Sequence, residues 1–162
     1  MPFVCCIKLV RILMPAVCSD CKTSDQNLLY SSGKTLYCKD CKRFRNLKDN
    51  SGVKRTYANT PALIITKTEF DDWKSGRARR CYYCNIAETD LKQAGLKSQT
   101  NKPIEALGID RLDSNGDYTK NNIVYCCFAC NKAKGNIFSS DEMKEVGKAI
   151  SNVWRMKGIV IP

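Results

Sequence analysis

Eleven cysteines and no histidine define the chemistry open to this chain. Without imidazole every histidine-based catalytic device is excluded, and a metal site must draw on thiolates, carboxylates and amides. Eight cysteines form four Cys-x-x-Cys pairs. Cys18 and Cys21 are followed after 16 intervening residues by Cys38 and Cys41, and Cys81 and Cys84 after 42 by Cys127 and Cys130. A Cys-x-x-Cys turn puts two sulfurs on one side of a tight knuckle, and two knuckles supply the four thiolates that structural Zn²⁺ prefers, with no position left open for chemistry. The spacing predicts two structural zinc sites per chain. An odd cysteine count fits complete disulfide pairing poorly. The apolar run Met1 to Val17 is broken by Lys8 and Arg11 and fits neither a signal peptide nor a membrane span. The expectation is a cytoplasmic protein of bacterial or phage type, not secreted and with no membrane partner, in which thiols stay reduced. Cys5, Cys6 and Cys126 are expected as small buried hydrophobes, Cys126 facing away from Cys127 on a strand.

The 162 residues suffice for one ordinary domain or two small ones, and 43% hydrophobic with 27% charged residues is a globular composition. Lys and Arg number 27 against 16 Asp and Glu, a formal net charge of +11. Two four-thiolate zinc sites would lower it to about +7. The excess gathers in Lys42, Arg43, Arg45, Lys54 and Arg55, and again in Arg77, Arg79 and Arg80. Two basic runs beside zinc knuckles, with Phe44, Tyr57, Tyr82 and Tyr83 interleaved, point to nucleic acid, because phosphate neutralisation gives most non-specific affinity. These eight basic residues are the candidate DNA contacts.

The elements that must position these groups follow from pattern. Residues 14–45 form a four-cysteine module in which Leu28-Leu29-Tyr30 and Thr35-Leu36-Tyr37 make a hairpin about Ser31-Ser32-Gly33. Residues 46–60 read as a basic linker with a turn at Asp49-Asn50-Ser51-Gly52, and 61–162 as the second domain. Thr68 with Asp71 resembles a capping box opening a short helix that carries Phe70 and Trp73 into the core. Residues 106–110 and 123–127 read as strands joined by a turn at 114–117, followed by a helix over 128–134 that Gly135 ends. Ser139-x-x-Glu142 caps a last helix whose stripe Met143, Val146, Ala149, Ile150, Val153 and Trp154 is core, with a dimer surface as the alternative. The fold class is α+β.

That hairpin and helix carry Ile109-Asp110-Arg111, Tyr118-Thr119-Lys120-Asn121-Asn122 and Cys127-x-x-Cys130-Asn131-x-x-Lys134. With Cys81-x-x-Cys84 ahead of them, they resemble the ββα-metal core of HNH endonucleases. Together with the N-terminal four-cysteine module and the stretch Asn136 to Met143, the chain is similar to the PacI-like branch of rare-cutting restriction endonucleases over residues 14–160. Residues 1–13 would then be an extension.

The resemblance implies metal-dependent, sequence-specific hydrolysis of DNA phosphodiesters. Asp110 and Asn131 would hold one catalytic Mg²⁺ or Mn²⁺, and Asn122 would fix the loop through backbone hydrogen bonds. Where most of the family has a histidine base, this chain has Arg111, which stays protonated. It would contact phosphate or pair with Asp113. Tyr118 is the local candidate for the base, in keeping with tyrosine use proposed for the PacI-like branch. One site cuts one strand, so cleavage of double-stranded DNA implies a homodimer on a palindromic target. A phage-type or homing HNH nuclease is one alternative. A zinc-dependent DNA-binding module that has lost catalysis is the other.

Overall fold

Leu29–Ser32 (β1) and Thr35–Cys38 (β2) pair antiparallel, Leu29 opposite Cys38, as the pattern predicts. The computed structural model describes residues 16–25, 28–32, 35–51 and 60–162. The expected extension 1–13, Cys5, Cys6, Gly33, Lys54, Arg55 and Tyr57 lie outside the described residues. The fold is a small α+β arrangement in two units, Met1–Cys41 and Lys42–Pro162. In the first, Cys18, Cys38 and Cys41 are buried beneath Leu28, Leu29 and Tyr37.

Helix α1, Lys39–Asn50, starts directly after Cys38. Residues 46–50 are therefore helical rather than linker. The polar look of this stretch hides an apolar edge of Phe44 and Leu47 at helical spacing, and Leu47 is buried in the core of the second unit.

Helix α2, Lys67–Lys74, is capped by Thr66 and Glu69 rather than by Thr68 and Asp71. Glu69 has the reach to accept from the Thr66 amide at 2.8 Å, while Asp71 pairs with Lys67 and Lys74. Phe70 and Trp73 are buried, and the rings Phe44, Phe70, Trp73 and Tyr125 follow one another at centroid distances of 5.4, 5.6 and 4.8 Å. This chain of offset and tilted rings is the core of the unit.

A 3₁₀ turn, Glu88–Asp90, runs into α3, Leu91–Ala94. Buried Glu88 pairs with Arg43 and, at 3.3 Å, with Arg79, and accepts from the Leu107 amide at 2.9 Å. Arg43 Nε donates to the Leu107 carbonyl at 2.7 Å, so one carboxylate ties α1 to the segment entering the next hairpin. Glu88→Gln is expected to cost about 3–5 kcal/mol of unfolding free energy in urea, because it removes a buried charge from its partners. A loss below about 1 kcal/mol would mean that the arginines do not depend on it.

Gly108–Arg111 (β3) and Ile123–Cys126 (β4) form a second antiparallel hairpin, Asp110 opposite Val124, followed by α4, Phe128–Lys134. Gly135 ends α4 at φ +50°, where a side chain would be strained. In each quartet the second cysteine pair thus follows a hairpin and opens a helix.

Helix α5, Ser140–Met156, has the predicted Ser139–Glu142 capping box, but its buried residues are Met143, Gly147, Ser151 and Trp154. Val146 and Ile150 are only partly buried, and Ala149 and Val153 are exposed. The helix lies against the backbone of residues 83 and 84: a Cβ at Gly147 would clash with the Tyr83 carbonyl, and Ser151 Oγ donates to the Cys84 carbonyl at 2.8 Å. Close approach to backbone selects small residues, which an apolar periodicity cannot reveal. Among the described residues no helix is long and apolar enough to cross a membrane.

Candidate active site and metal centres

The two quartets assemble as the spacing predicts: in Cys18, Cys21, Cys38 and Cys41, and in Cys81, Cys84, Cys127 and Cys130, all four sulfurs lie within 4.8 Å of one another. Cys21 and Cys38 Sγ are 3.6 Å apart and Cys84 and Cys127 Sγ 3.7 Å. Tetrahedral zinc with bonds of about 2.3 Å needs sulfurs about 3.8 Å apart, so each group can hold such an ion. In each quartet one pair is a knuckle closed by a left-handed residue, Lys22 at φ 61° and Asn85 at φ 58°. The other pair opens a helix, where the Cys41 and Cys130 amides donate to Cys38 and Cys127 Sγ at 3.4 and 3.5 Å. Amides at a helix start favour thiolate. Trp154 Nε1 donates to Cys84 Sγ at 3.3 Å, tying α5 to the second quartet.

Cys126 is buried but does not simply turn away from the cluster. It hydrogen-bonds to Cys81, which with burial pushes its own thiol up. It stands behind the four-sulfur group and is not one of its members.

Asp110 lies on β3 of the hairpin, beside the knuckle of the second quartet. Tyr83, inside the Cys81–Cys84 knuckle, donates its hydroxyl to Asp110 Oδ2 at 2.8 Å, and Lys134 Nζ is 3.4 Å from the same oxygen. Burial and the Asp110 carboxylate push the Tyr83 phenol up, so it stands protonated as a donor. Asn131, exposed on α4, is one turn before Lys134 and lines a cavity of about 310 Å³ with Leu107, Ile109, Tyr118 and Phe128. Asp110 on β3 and Asn131 on α4 offer hard oxygen donors, the kind that Mg²⁺ or Mn²⁺ would take while keeping several waters.

No family model and no curated protein matches the chain. Among solved structures it is similar to the rare-cutting HNH restriction endonuclease PacI, with 33% identity and a TM-score of 0.76 over 89% of this chain and 99% of that one. The chain belongs to the HNH restriction endonuclease family.

Within this HNH frame Asn122 clamps the loop between the strands. Its Oδ1 accepts from the Asp113 amide at 2.8 Å, and its Nδ2 donates to the carbonyls of Asp113 and Asp117 at 3.1 and 2.9 Å. Arg111 donates to the Gly116 carbonyl at 2.6 Å and lies 5.2 Å from the centre of the Tyr118 ring. Among the described residues no ion pair joins it to Asp113. Consecutive strand residues face opposite sides, so Arg111 and Asp110 leave β3 on different faces, and among the described residues no hydrogen bond joins the Tyr118 hydroxyl to Asp110. The tyrosine hydroxyl at Asp110 is that of Tyr83. In the sequence Tyr83 reads only as an aromatic near basic residues; its place inside a knuckle, two residues after Cys81, is the available signal.

The basic candidates separate by burial. Arg43 is 4% exposed and engaged by Glu88, so it is a structural residue and not a surface phosphate contact. Arg79 shares Glu88, Arg80 donates to the Asn85 carbonyl at 3.0 Å, and Arg77 donates to the Trp73 carbonyl at 2.7 Å while lying over its ring. Arg45 and Arg77 are exposed and Lys42 is half-buried.

Proposed function

We propose that this protein is a metal-dependent, sequence-specific DNA endonuclease of PacI-like restriction type. It would carry two structural Zn²⁺ and one catalytic Mg²⁺ or Mn²⁺ per chain and act as a homodimer on a palindromic site. The observation that carries the reading is Asp110 on β3 with Asn131 on α4 in a cysteine-stapled ββα core, in a chain 33% identical to PacI. Zinc is supported by sulfur spacing that matches tetrahedral thiolate coordination.

In this reading Asp110 and Asn131 are the ligands of a divalent ion, which supplies positive charge to the scissile phosphate and its leaving oxygen. Asn122 holds the loop that presents the site. Arg111 keeps that loop and the Tyr118 ring in place. Tyr83, with its hydroxyl at Asp110, takes the proton-transfer role that sequence reasoning gave to Tyr118. Arg45 and Arg77, with Lys42 and Arg80, provide positive charge for the DNA backbone. A twofold dimer would bring two such sites to opposite strands.

The test is incubation of the zinc-loaded protein with plasmid and viral DNAs, with and without added Mg²⁺. Discrete fragments with one common end sequence, formed only with Mg²⁺, are expected. Retarded DNA without Mg²⁺-dependent cuts would favour a zinc-dependent binding module. Cuts without a common sequence would overturn the restriction reading.

A further inference from the structure

Lys134 is a fully buried lysine, with no exposed surface. Its ammonium lies 2.7 Å from the Arg111 carbonyl, 2.7 Å from Ser114 Oγ and 3.4 Å from Asp110 Oδ2. The ammonium thus donates to the end of β3 and to the loop after it, and pairs in charge with the carboxylate between. Burying an ammonium is unfavourable by several kcal/mol unless charge and hydrogen bonds compensate. A neutral donor would staple the loop without that penalty, so the charge points to the carboxylate.

We propose that Lys134 is a positioning residue for the divalent-cation site. This rests on the reading of Asp110 and Asn131 as its ligands. Asn131 and Lys134 are three residues apart and so share one face of α4. The first four-residue stretch of that helix is held by the cysteine quartet, and its last residue is held to β3 by Lys134. The separation of the two ligands is therefore fixed at both ends of a seven-residue helix. Lys134 and Tyr83 also occupy the same carboxylate oxygen, Oδ2, while Oδ1 has no partner among the described residues. The carboxylate is held in one orientation with one oxygen left for a cation. Arrangement and charge oppose each other here: a nearby ammonium repels a cation, yet without it the helix and the carboxylate can shift. Two 2.7 Å hydrogen bonds and a 3.4 Å ion pair on one Nζ make arrangement the larger effect.

The experiment is Mn²⁺ titration of the full-length, zinc-loaded protein, followed by electron paramagnetic resonance, for wild type, Lys134→Met, Ser114→Ala and Asp110→Ala. Lys134→Met keeps the length of the side chain and is expected to weaken Mn²⁺ binding 10-fold or more, with two zinc ions per chain and DNA retention without Mn²⁺ intact. Ser114→Ala, which keeps the ammonium and removes one anchor, is expected to weaken it about 3-fold. Mn²⁺ binding by Lys134→Met as tight as wild type or tighter, while Asp110→Ala abolishes it, overturns the positioning role and leaves the metal site standing. Wild type and Asp110→Ala binding Mn²⁺ alike overturns both. If Lys134→Met does not retain two zinc ions, Ser114→Ala decides: unchanged Mn²⁺ affinity overturns the proposal.

Discussion

Cys127→Ser is expected to lose one of two zinc ions and to unfold the ββα core. Cys127 is both a member of the second quartet and the N-cap of α4. Serine preserves the cap, since its oxygen can accept from the Cys130 amide, but it replaces the thiolate that zinc prefers. A structural zinc is worth about 10–16 kcal/mol. That matches or exceeds the whole stability of an ordinary domain, about 5–15 kcal/mol. Both donors to Asp110 depend on the same quartet, Tyr83 from the knuckle and Lys134 from the helix. Loss of the ion should therefore release the carboxylate as well as the fold. Elemental analysis should find about one zinc per chain, with the cooperative melt of the core gone. Two zincs and a wild-type melt would sink the structural-zinc assignment. Cys126→Ala, which removes a buried sulfur outside the quartet, should keep both ions.

What the sequence made legible were features carried by local spacing. Metal-ligand intervals, the turn between β3 and β4, Gly135 and the Ser139 cap all depend on residues a few positions apart, and each appears where expected. The quartets could be paired because two knuckles are useless singly. The misplaced features depend on distant partners. Arg43 reads as one of a basic run, yet its charge is matched by Glu88, 45 residues away. Gly147 and Ser151 look like interruptions of an apolar stripe until the Tyr83 and Cys84 backbone is seen against them. The linker boundary failed because the face of α1 that packs shows only as Phe44 and Leu47 among charges. Tyr118 stands near Asp110 in sequence, yet the tyrosine hydroxyl bonded to that carboxylate comes from Tyr83, 27 residues before it.

That hydrogen bond gives the last prediction, a ranking of three variants in single-turnover DNA cleavage with saturating Mg²⁺. Asp110→Ala removes a ligand and should abolish detectable cleavage while DNA retention persists, since the basic surface is untouched. Tyr83→Phe keeps the ring and its packing and deletes only the hydroxyl that faces Asp110 at 2.8 Å. It should lose about 100-fold or more, the usual scale for a group that moves a proton in the transition state. The phenol stands protonated at rest, so only its phenolate form, whose own proton has gone to solvent, can take the proton of the attacking water. Tyr118→Phe should lose less than about 10-fold, because among the described residues no hydrogen bond joins its hydroxyl to Asp110, and its ring face meets Arg111. All three variants should keep two zinc ions. A larger loss for Tyr118→Phe than for Tyr83→Phe would return the proton to Tyr118. Near wild-type cleavage by both phenylalanine variants would remove tyrosine from the chemistry, leaving the Tyr83 hydroxyl as a hydrogen bond that orients Asp110 and nothing more.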